Sequence, residues 1–200
     1  MDSYKWALKI FNEGAAFVAF DLETTGLNPH VDRIAEIGAV KFDKKGLVSR
    51  FSTLINPGIP MPAEASRVNK ITDKMLESKP DIDTILPDFL KFIENTVIVA
   101  HNAPFDCGFI KEALKSGLVP FKSLPNPIVD TLILSREKIP GLKSYSLEKL
   151  AIELGISYKE VHRAEDDAFI CMAIFLYCMG LVHGAETSRL HGTGVPESGI

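Results

Sequence analysis

Residues 168–182, AFICMAIFLYCMGLV, carry no charge and are mostly apolar, and this stretch constrains the chain more than any other. A membrane span needs about 20 such residues to cross roughly 30 Å, and a 15-residue helix covers only about 22 Å. The stretch is therefore expected to be a helix buried on most of its sides, with no membrane association. A chain of 200 residues, 46% of them hydrophobic, is long enough to build one substantial core around it.

Charge narrows the function classes. Lys and Arg number 22 and Asp and Glu 26, giving a formal charge of −4. That excludes a basic DNA-coating protein held by many phosphate contacts. Nucleic acid stays open as a substrate, because a site that recruits divalent cations brings its own positive charge. The cysteines, Cys107, Cys171 and Cys178, form no Cys-x-x-Cys pair and cannot complete an even disulfide set. They read as the reduced thiols of a cytoplasmic protein. The N-terminal MDSYKWALKIFNEG intersperses charges and has no apolar run ahead of a small-residue cleavage site, so no signal peptide is expected.

Three stretches suggest the first strands: FVAFDLE (17–23), then 34–43 and 47–56 flanking the short turn Lys44-Lys45-Gly46, an antiparallel hairpin. Residues 62–94 hold helical pieces punctuated by Pro80 and Pro87. TVIVAH (96–101) is a short apolar strand, followed by an amphipathic helix from Pro104 to Lys115 that ends at Gly117. PIVDTL (127–132) is a strand-like run leading into a helix. Further helices span Ser146 to Leu154 and Arg163 or Ala164 to about Val182. A hairpin followed by alternating strands and helices implies an α/β domain with a mixed five-stranded sheet. The tail from Gly184 is small, polar and aperiodic, and is expected to be mobile.

The chemistry sits at the ends of these elements. Asp21 and Glu23 lie two apart at the end of an apolar strand, so both point to one face, where two like charges repel unless a cation sits between them. Alone, such a pair reads as a solvated strand end. In VIVAHNAPFD (97–106) an apolar strand runs into His101 and Asn102, with Asp106 in the first turn of the next helix. Asp106 suits a helix dipole partner and His101 a hydrogen-bonded loop histidine, but Asp106 also lies beyond the carboxyl end of a strand, where α/β sheets place their sites. In HRAEDDA (162–168), His162 precedes the last helix. Asp167 shares a face with Ala164, Cys171 and Ile174, whereas Asp166 is rotated by about 100° toward solvent. A carboxylate on the buried side of an apolar helix is costly without a partner, which favours Asp167 over Asp166 as a ligand. Four carboxylates from three distant segments plus one histidine suit a hard divalent ion, Mg²⁺ or Mn²⁺, rather than zinc. Two such ions about 3.5–4 Å apart clamp the attacking and leaving oxygens of an in-line phosphoryl displacement. A histidine, with an ordinary pKa near 6.5, suits the role of base toward the attacking water.

FDLETTGLNPHVDRIAEIGAVKF, VAHNAPFD and HRAEDDA, in this order and spacing, resemble the three motifs of the DEDDh 3′→5′ exonucleases. The greatest likeness is to proofreading exonucleases of bacterial replicative polymerases, of the DNA polymerase III epsilon type. INPGIPMPAEASRVNKIT (55–72) and VDTLILSREKIPGLKSYSLEKLAIELGI (129–156) resemble the family's connecting stretches, so the likeness covers about residues 16–180. The resemblance implies a ribonuclease H-like fold and a two-metal hydrolysis that releases nucleoside 5′-monophosphates. It implies Asp21, Glu23 and Asp167 on the metal that activates water, Asp21 bridging to a second metal supported by Asp106, and His162 as general base. Thr24, Thr25, Gly26, Leu27 and Asn102 are implied at the terminal nucleotide, with Leu27 wedged against the last base; a plain turn at Thr-Thr-Gly and a core contact at Leu27 are the alternatives. Where many members read His-Gly-Ile this chain has Asn69-Lys70-Ile71, which leaves nucleotide preference and turnover open. The implied organisation is an N-terminal extension (1–15), an exonuclease domain (16–183) and a tail (184–200). The implied partners are the 3′ end of a single strand, DNA before RNA, and a replicative DNA polymerase. RNA 3′-end trimming and a non-catalytic nucleic-acid-binding subunit are the competing readings.

Overall fold

Burial alternates along the first strand, β1 (Phe17–Thr24), in a way that sets the architecture. Phe17 and Ala19 join one apolar cluster, while Val18, Phe20 and Leu22 join another on the opposite face. A strand apolar on both faces has to be covered on both. The computed structural model describes residues 3–116, 123–157 and 162–182. In it, β1 is the centre of a five-stranded sheet of order β3-β2-β1-β4-β5. β2 (Ile34–Asp43) and β3 (Gly46–Leu54) form the expected hairpin and pair antiparallel, while β4 (Val97–Ala100) and β5 (Ile128–Asp130) run parallel to β1 and to each other respectively. The mixed five-stranded α/β architecture expected from the sequence is thus present.

Helices cover both faces. α1 (Lys5–Asn12), α6 (Thr131–Lys138), α7 (Leu147–Glu153) and α8 (Ala164–Cys178) build one layer. α4 (Ile82–Phe92) and α5 (Ala103–Ala113) build the other. Two short helices, α2 (Ala63–Asn69) and α3 (Asp73–Leu76), shelter a small satellite core of Ala35, Met61, Ile71 and Leu76 at one end. The uncharged stretch behaves as its composition requires: from Ala168 to Leu176 every residue of α8 is buried. Phe175 packs at 5.1 Å against Phe17 and at 6.0 Å against Phe11 of α1, and each ring so buried contributes about 1.5–3 kcal/mol. Among the described residues, no helix is long and apolar enough to cross a membrane.

Three details differ from the sequence reading. Pro87 does not interrupt α4, which continues through it because Ile85, Leu86 and Phe89 together bury one helix face; that burial outweighs the hydrogen bond lost at a proline nitrogen. α8 ends at Cys178, short of Val182, with Gly180 beyond it in the left-handed region. α1 was not anticipated; it forms because Ala7 and Phe11, four apart, find a buried face against the sheet. Gly117, expected to end α5, and the tail from Gly184 lie outside the described residues.

Candidate active site

The carboxyl end of β1 collects the charged residues. Asp21 and Glu23 continue the face of Phe17 and Ala19, so the side chains that begin as core under α8 end as carboxylates beside its first turn. Asp106 stands in the first turn of α5, beyond β4, and Asp167 in the first turn of α8. The structure brings Glu23, Asp167 and His162 together, with Asp21 and Asp106 near enough to act on this group by charge, from segments far apart in sequence. Ligand atoms of Glu23, His162 and Asp167 lie within 4.8 Å of one another. Asp21 feels the negative charge of Asp106, Asp167, Glu23 and Glu36.

Backbone geometry makes this convergence possible. Gly38 of β2 pairs directly with Asp21, and a Cβ there would stand 2.0 Å from the carbonyl carbon of Ala164 and the nitrogen of Glu165. Only a glycine lets the start of α8 press this closely on the sheet, and that approach carries Asp167 to the β1 carboxylates. Asp130 fixes the second corner. Its carboxylate accepts from the N–H groups of Asn102 (3.1 Å), Ala103 (3.1 Å) and Leu132 (2.9 Å), holding Asn102 at φ 65° and α5 at a set angle. His101 is a loop histidine in service of the fold: Nε2 donates to the Tyr145 carbonyl at 2.8 Å and Nδ1 lies 3.0 Å from the Thr131 hydroxyl. Burial lowers its pKa, and the hydrogen bond to the Tyr145 carbonyl opposes that shift without cancelling it.

The electrostatics are those of crowded, buried carboxylates. Burial first, and then mutual repulsion, raises the pKa of every carboxylate in the set. Glu23 is pushed up to about 8 and Asp167 to about 7, while Asp21 and Asp106 lie well above the usual carboxylate range. Asp106 is only 2% exposed, and hydrogen bonds from the backbone of Leu22 and its own N–H oppose the effect of burial without cancelling it. The Oδ1 atoms of Asp106 and Asp167 are buried with no hydrogen-bond partner. Buried carboxylate oxygens are rarely left so, and oxygen donors with one imidazole fit a hard divalent cation. The donor set therefore fits such ions. Asp166 is half-buried and acts on Asp167 as a repelling neighbour.

The loop after β1 forms a shelf beside the carboxylates. The Thr25 and Asn28 N–H groups bond to the Arg33 carbonyl (2.9 Å) and Asp32 Oδ2 (2.8 Å) respectively, and Thr25 Oγ1 accepts from Arg33 N at 2.9 Å. The turn closes so tightly on Asp32 that a Cβ at Gly26 would meet its carboxylate at 2.5 Å. Thr24 and Thr25 are buried and turned into this scaffold, whereas Leu27 is 84% exposed at the tip, so it is not a core residue. Asn69 is buried; its Oδ1 accepts from Ile71 N at 3.1 Å, its Nδ2 approaches the Thr24 carbonyl at 3.4 Å, and its side chain hydrogen-bonds Glu23.

Two residues here escaped the sequence reading. Glu36, opposite Glu23 across the β1–β2 ladder, is 2% exposed and bound by Arg163. Its signal was present, since in IAEIGAV the only charge stands amid residues that are all buried. Gly38 carried no signal beyond being a glycine inside a strand.

Comparison with known proteins agrees with this geometry. Residues 18–175 match the family model described as Exonuclease. DNA polymerase III subunit epsilon of Treponema pallidum is 47% identical over 174 residues, covering 86% of this chain and 80% of that protein. The PolC-type DNA polymerase III of Clostridium perfringens is 45% identical over 152 residues, but these make up only 10% of that much longer protein. Among solved structures, Exonuclease X in complex with 5′ overhanging duplex DNA superposes with a TM-score of 0.66 at 25% identity, covering 88% of this chain and 98% of that one. Escherichia coli Exonuclease I with a dT13 oligonucleotide reaches 0.70 at 20% identity over 81% of this chain and 41% of that one, a likeness of fold. With the family match spanning most of the chain and a close relative aligned over most of both lengths, this protein belongs to the exonuclease family.

Proposed function

We propose that this chain is a DEDDh-type 3′→5′ exonuclease that removes nucleoside 5′-monophosphates one at a time from DNA 3′ ends, proofreading beside a replicative polymerase in the cytoplasm. The observation that carries the reading is the cluster of Glu23, His162 and Asp167 with the carboxylates of Asp21 and Asp106 acting on it, the buried Oδ1 atoms of Asp106 and Asp167 being unpartnered. Asp21, Glu23 and Asp167 would hold one divalent ion, with Asp21 and Asp106 serving a second. When bound, two Mg²⁺ or Mn²⁺ ions supply an activated water at neutral pH and charge stabilisation for the attacking and leaving oxygens. His162, exposed at the rim, accepts the proton that the attacking water loses. Water oxygen bonds to phosphorus, the bond from phosphorus to the 3′ oxygen breaks, and the shortened strand regains its 3′ hydroxyl on protonation. Leu27, exposed at the tip of the loop, lies against the terminal base, and the Thr24-Thr25-Gly26 backbone and Asn102 face the terminal nucleotide.

The modest charge supports delivery of the 3′ end by a partner. The cluster Lys41, Lys44 and Lys45 is partly committed to the fold: Lys41 lies 4.7 Å over the Phe92 ring and Lys44 bonds to the Asn12 carbonyl at 3.0 Å. A domain of charge −4 has little long-range grip on phosphates. The relatives named as DNA polymerase III epsilon and PolC-type polymerase are the ground for a polymerase partner and for DNA over RNA.

The test is incubation with 5′-labelled single-stranded DNA and RNA of one sequence, with Mg²⁺, Mn²⁺ or EDTA, beside Asp21→Ala. A metal-dependent ladder shortening from the 3′ end, absent in the variant and faster on DNA, is expected. Faster cutting of RNA would move the substrate to RNA trimming. Binding in Mn²⁺ without release of mononucleotides would make the chain a non-catalytic subunit.

A further inference from the structure

Glu36 is a buried carboxylate beside the carboxylate cluster that the reaction does not use. It adds negative charge to Asp21, Glu23 and Asp167, so its presence raises the cost of the site. It does not act as another ligand, because both oxygens are taken. Oε1 accepts from Arg163 Nη2 at 2.6 Å, and Oε2 accepts from Arg163 Nε and from the Ala164 N–H, each at 3.2 Å. This is a two-pronged guanidinium–carboxylate fork, one arm of which also caps the start of α8. Arg163 follows His162 directly.

His162 needs such a hold. Its backbone is left-handed at φ 64°, a conformation that is strained for a residue with a side chain and persists only where the surroundings impose it. On its own it has one described tether, its N–H to Asp167 Oδ2 at 3.2 Å. Asp167 is differently placed: α8 is fixed by its buried length and by the close approach at Gly38, and the Asp167 N–H bonds to the Arg163 carbonyl at 3.0 Å. Loosening the fork therefore frees His162 well before it moves Asp167.

We propose that Glu36 and Arg163 form a positioning clamp, anchored in β2, that holds the His162 imidazole at the working distance from the attacking water. The inference rests on the nuclease reading above. It makes Glu36 a positioning residue that acts through His162 and touches no substrate.

The experiment is a cycle of Glu36→Gln and His162→Ala, singly and combined, with kcat and KM measured on a short single-stranded DNA in saturating Mg²⁺ and a thermal melt of each variant. Glu36→Gln keeps size but sets an amide N–H against donors; it is expected to lower kcat about 10–100-fold, the scale of a misplaced reacting group, with KM within about 3-fold. The double variant is expected to match His162→Ala alone within about 2-fold, because a clamp has nothing left to position. Arg163→Lys keeps the charge but loses the fork, and serves if Glu36→Gln melts below the assay temperature; a smaller kcat loss, again absent on the His162→Ala background, is expected. Losses that multiply in the double variant would overturn the clamp and assign Glu36 to general support of the site, with the nuclease reading intact. A wild-type protein without metal-dependent 3′ cleavage, or an unimpaired His162→Ala, would overturn the reading beneath it and the clamp with it.

Discussion

Replacing Gly38 with alanine tests the joint on which the whole site depends. The added Cβ would sit 2.0 Å from the Ala164 carbonyl carbon and the Glu165 nitrogen. Carbon atoms touch comfortably at roughly 3.5–4.0 Å, so one side has to recede by about 1.5 Å. Neither side yields easily: Gly38 is laddered to both β1 and β3, and α8 is a backbone wall buried along its length. Overpacking of this sort costs about 1–3 kcal/mol, and rigid backbone on both sides puts it at the upper end. For a domain of this size that is a fall in Tm of about 6–12 °C. The functional loss is larger in proportion, because the segment forced outward carries Asp167 and adjoins His162. A displacement of ~1 Å costs about 100-fold in turnover. The measurements are a thermal melt and the Mg²⁺-dependent rate on single-stranded DNA at a temperature where the variant remains folded. Gly108→Ala in α5 is the control, since its Cβ meets only Pro29 Cγ at an ordinary 3.7 Å; there the substitution should leave activity intact and stabilise by about 0.5–1 kcal/mol. A Gly38→Ala protein that melts with the wild type and cuts at its rate would refute the close approach of α8 and the account of the site built on it.

Asp167→Ala should abolish cleavage while Asp166→Ala stays within about 3-fold of wild type, the reverse result placing the ligand one residue earlier on α8. In EDTA, stability should fall as pH rises from about 5 to 8: Glu23 and Asp167 titrate near 8 and 7 in the fold but near 4 when unfolded, so the native state holds the extra protons and loses that advantage as they leave. Mg²⁺ should then raise Tm more at pH 8 than at pH 5.5, and an equal rise at both would show that no cation binds these carboxylates. Leu27→Ala should raise KM on single-stranded DNA several-fold with little change in stability, since the side chain is bare in the free protein; an unchanged KM removes it from the binding surface.

Much of this was legible because apolar periodicity and chemistry coincide in the first strand. FVAFDLE states a two-faced core and then, with no change of period, a pair of carboxylates on one of those faces. The choice of Asp167 over Asp166 was legible for the same reason, as helical spacing put it on the buried stripe. Interactions that join distant segments without any local pattern were not. Nothing in 34–43 says that Glu36 meets Arg163, 127 residues away, or that Asp130 will receive three N–H groups from two segments. Pro87 misled because a proline's local cost is visible in sequence, while the tertiary burial that offsets it is not.

The uncharged helix and the carboxylate cluster are one design seen from two ends. Five carboxylates, Asp21, Glu23, Glu36, Asp106 and Asp167, are drawn together, and desolvation and repulsion lift the pKa of Asp21, Glu23, Asp106 and Asp167. Arg163 is a cation beside them, and its guanidinium is bound to Glu36. Without bound cations these carboxylates repel one another, and one of them, Asp167, is carried by α8. Its continuous burial from Ala168 to Leu176, with Phe175 set among Phe11, Phe17 and Phe42, supplies the opposing force. A helix amphipathic in the ordinary way would present half that apolar surface and hold Asp167 less firmly. The sequence can thus spend no charge on the length of α8 because all the charge that α8 carries is concentrated in its first turn, where a cation has to be met.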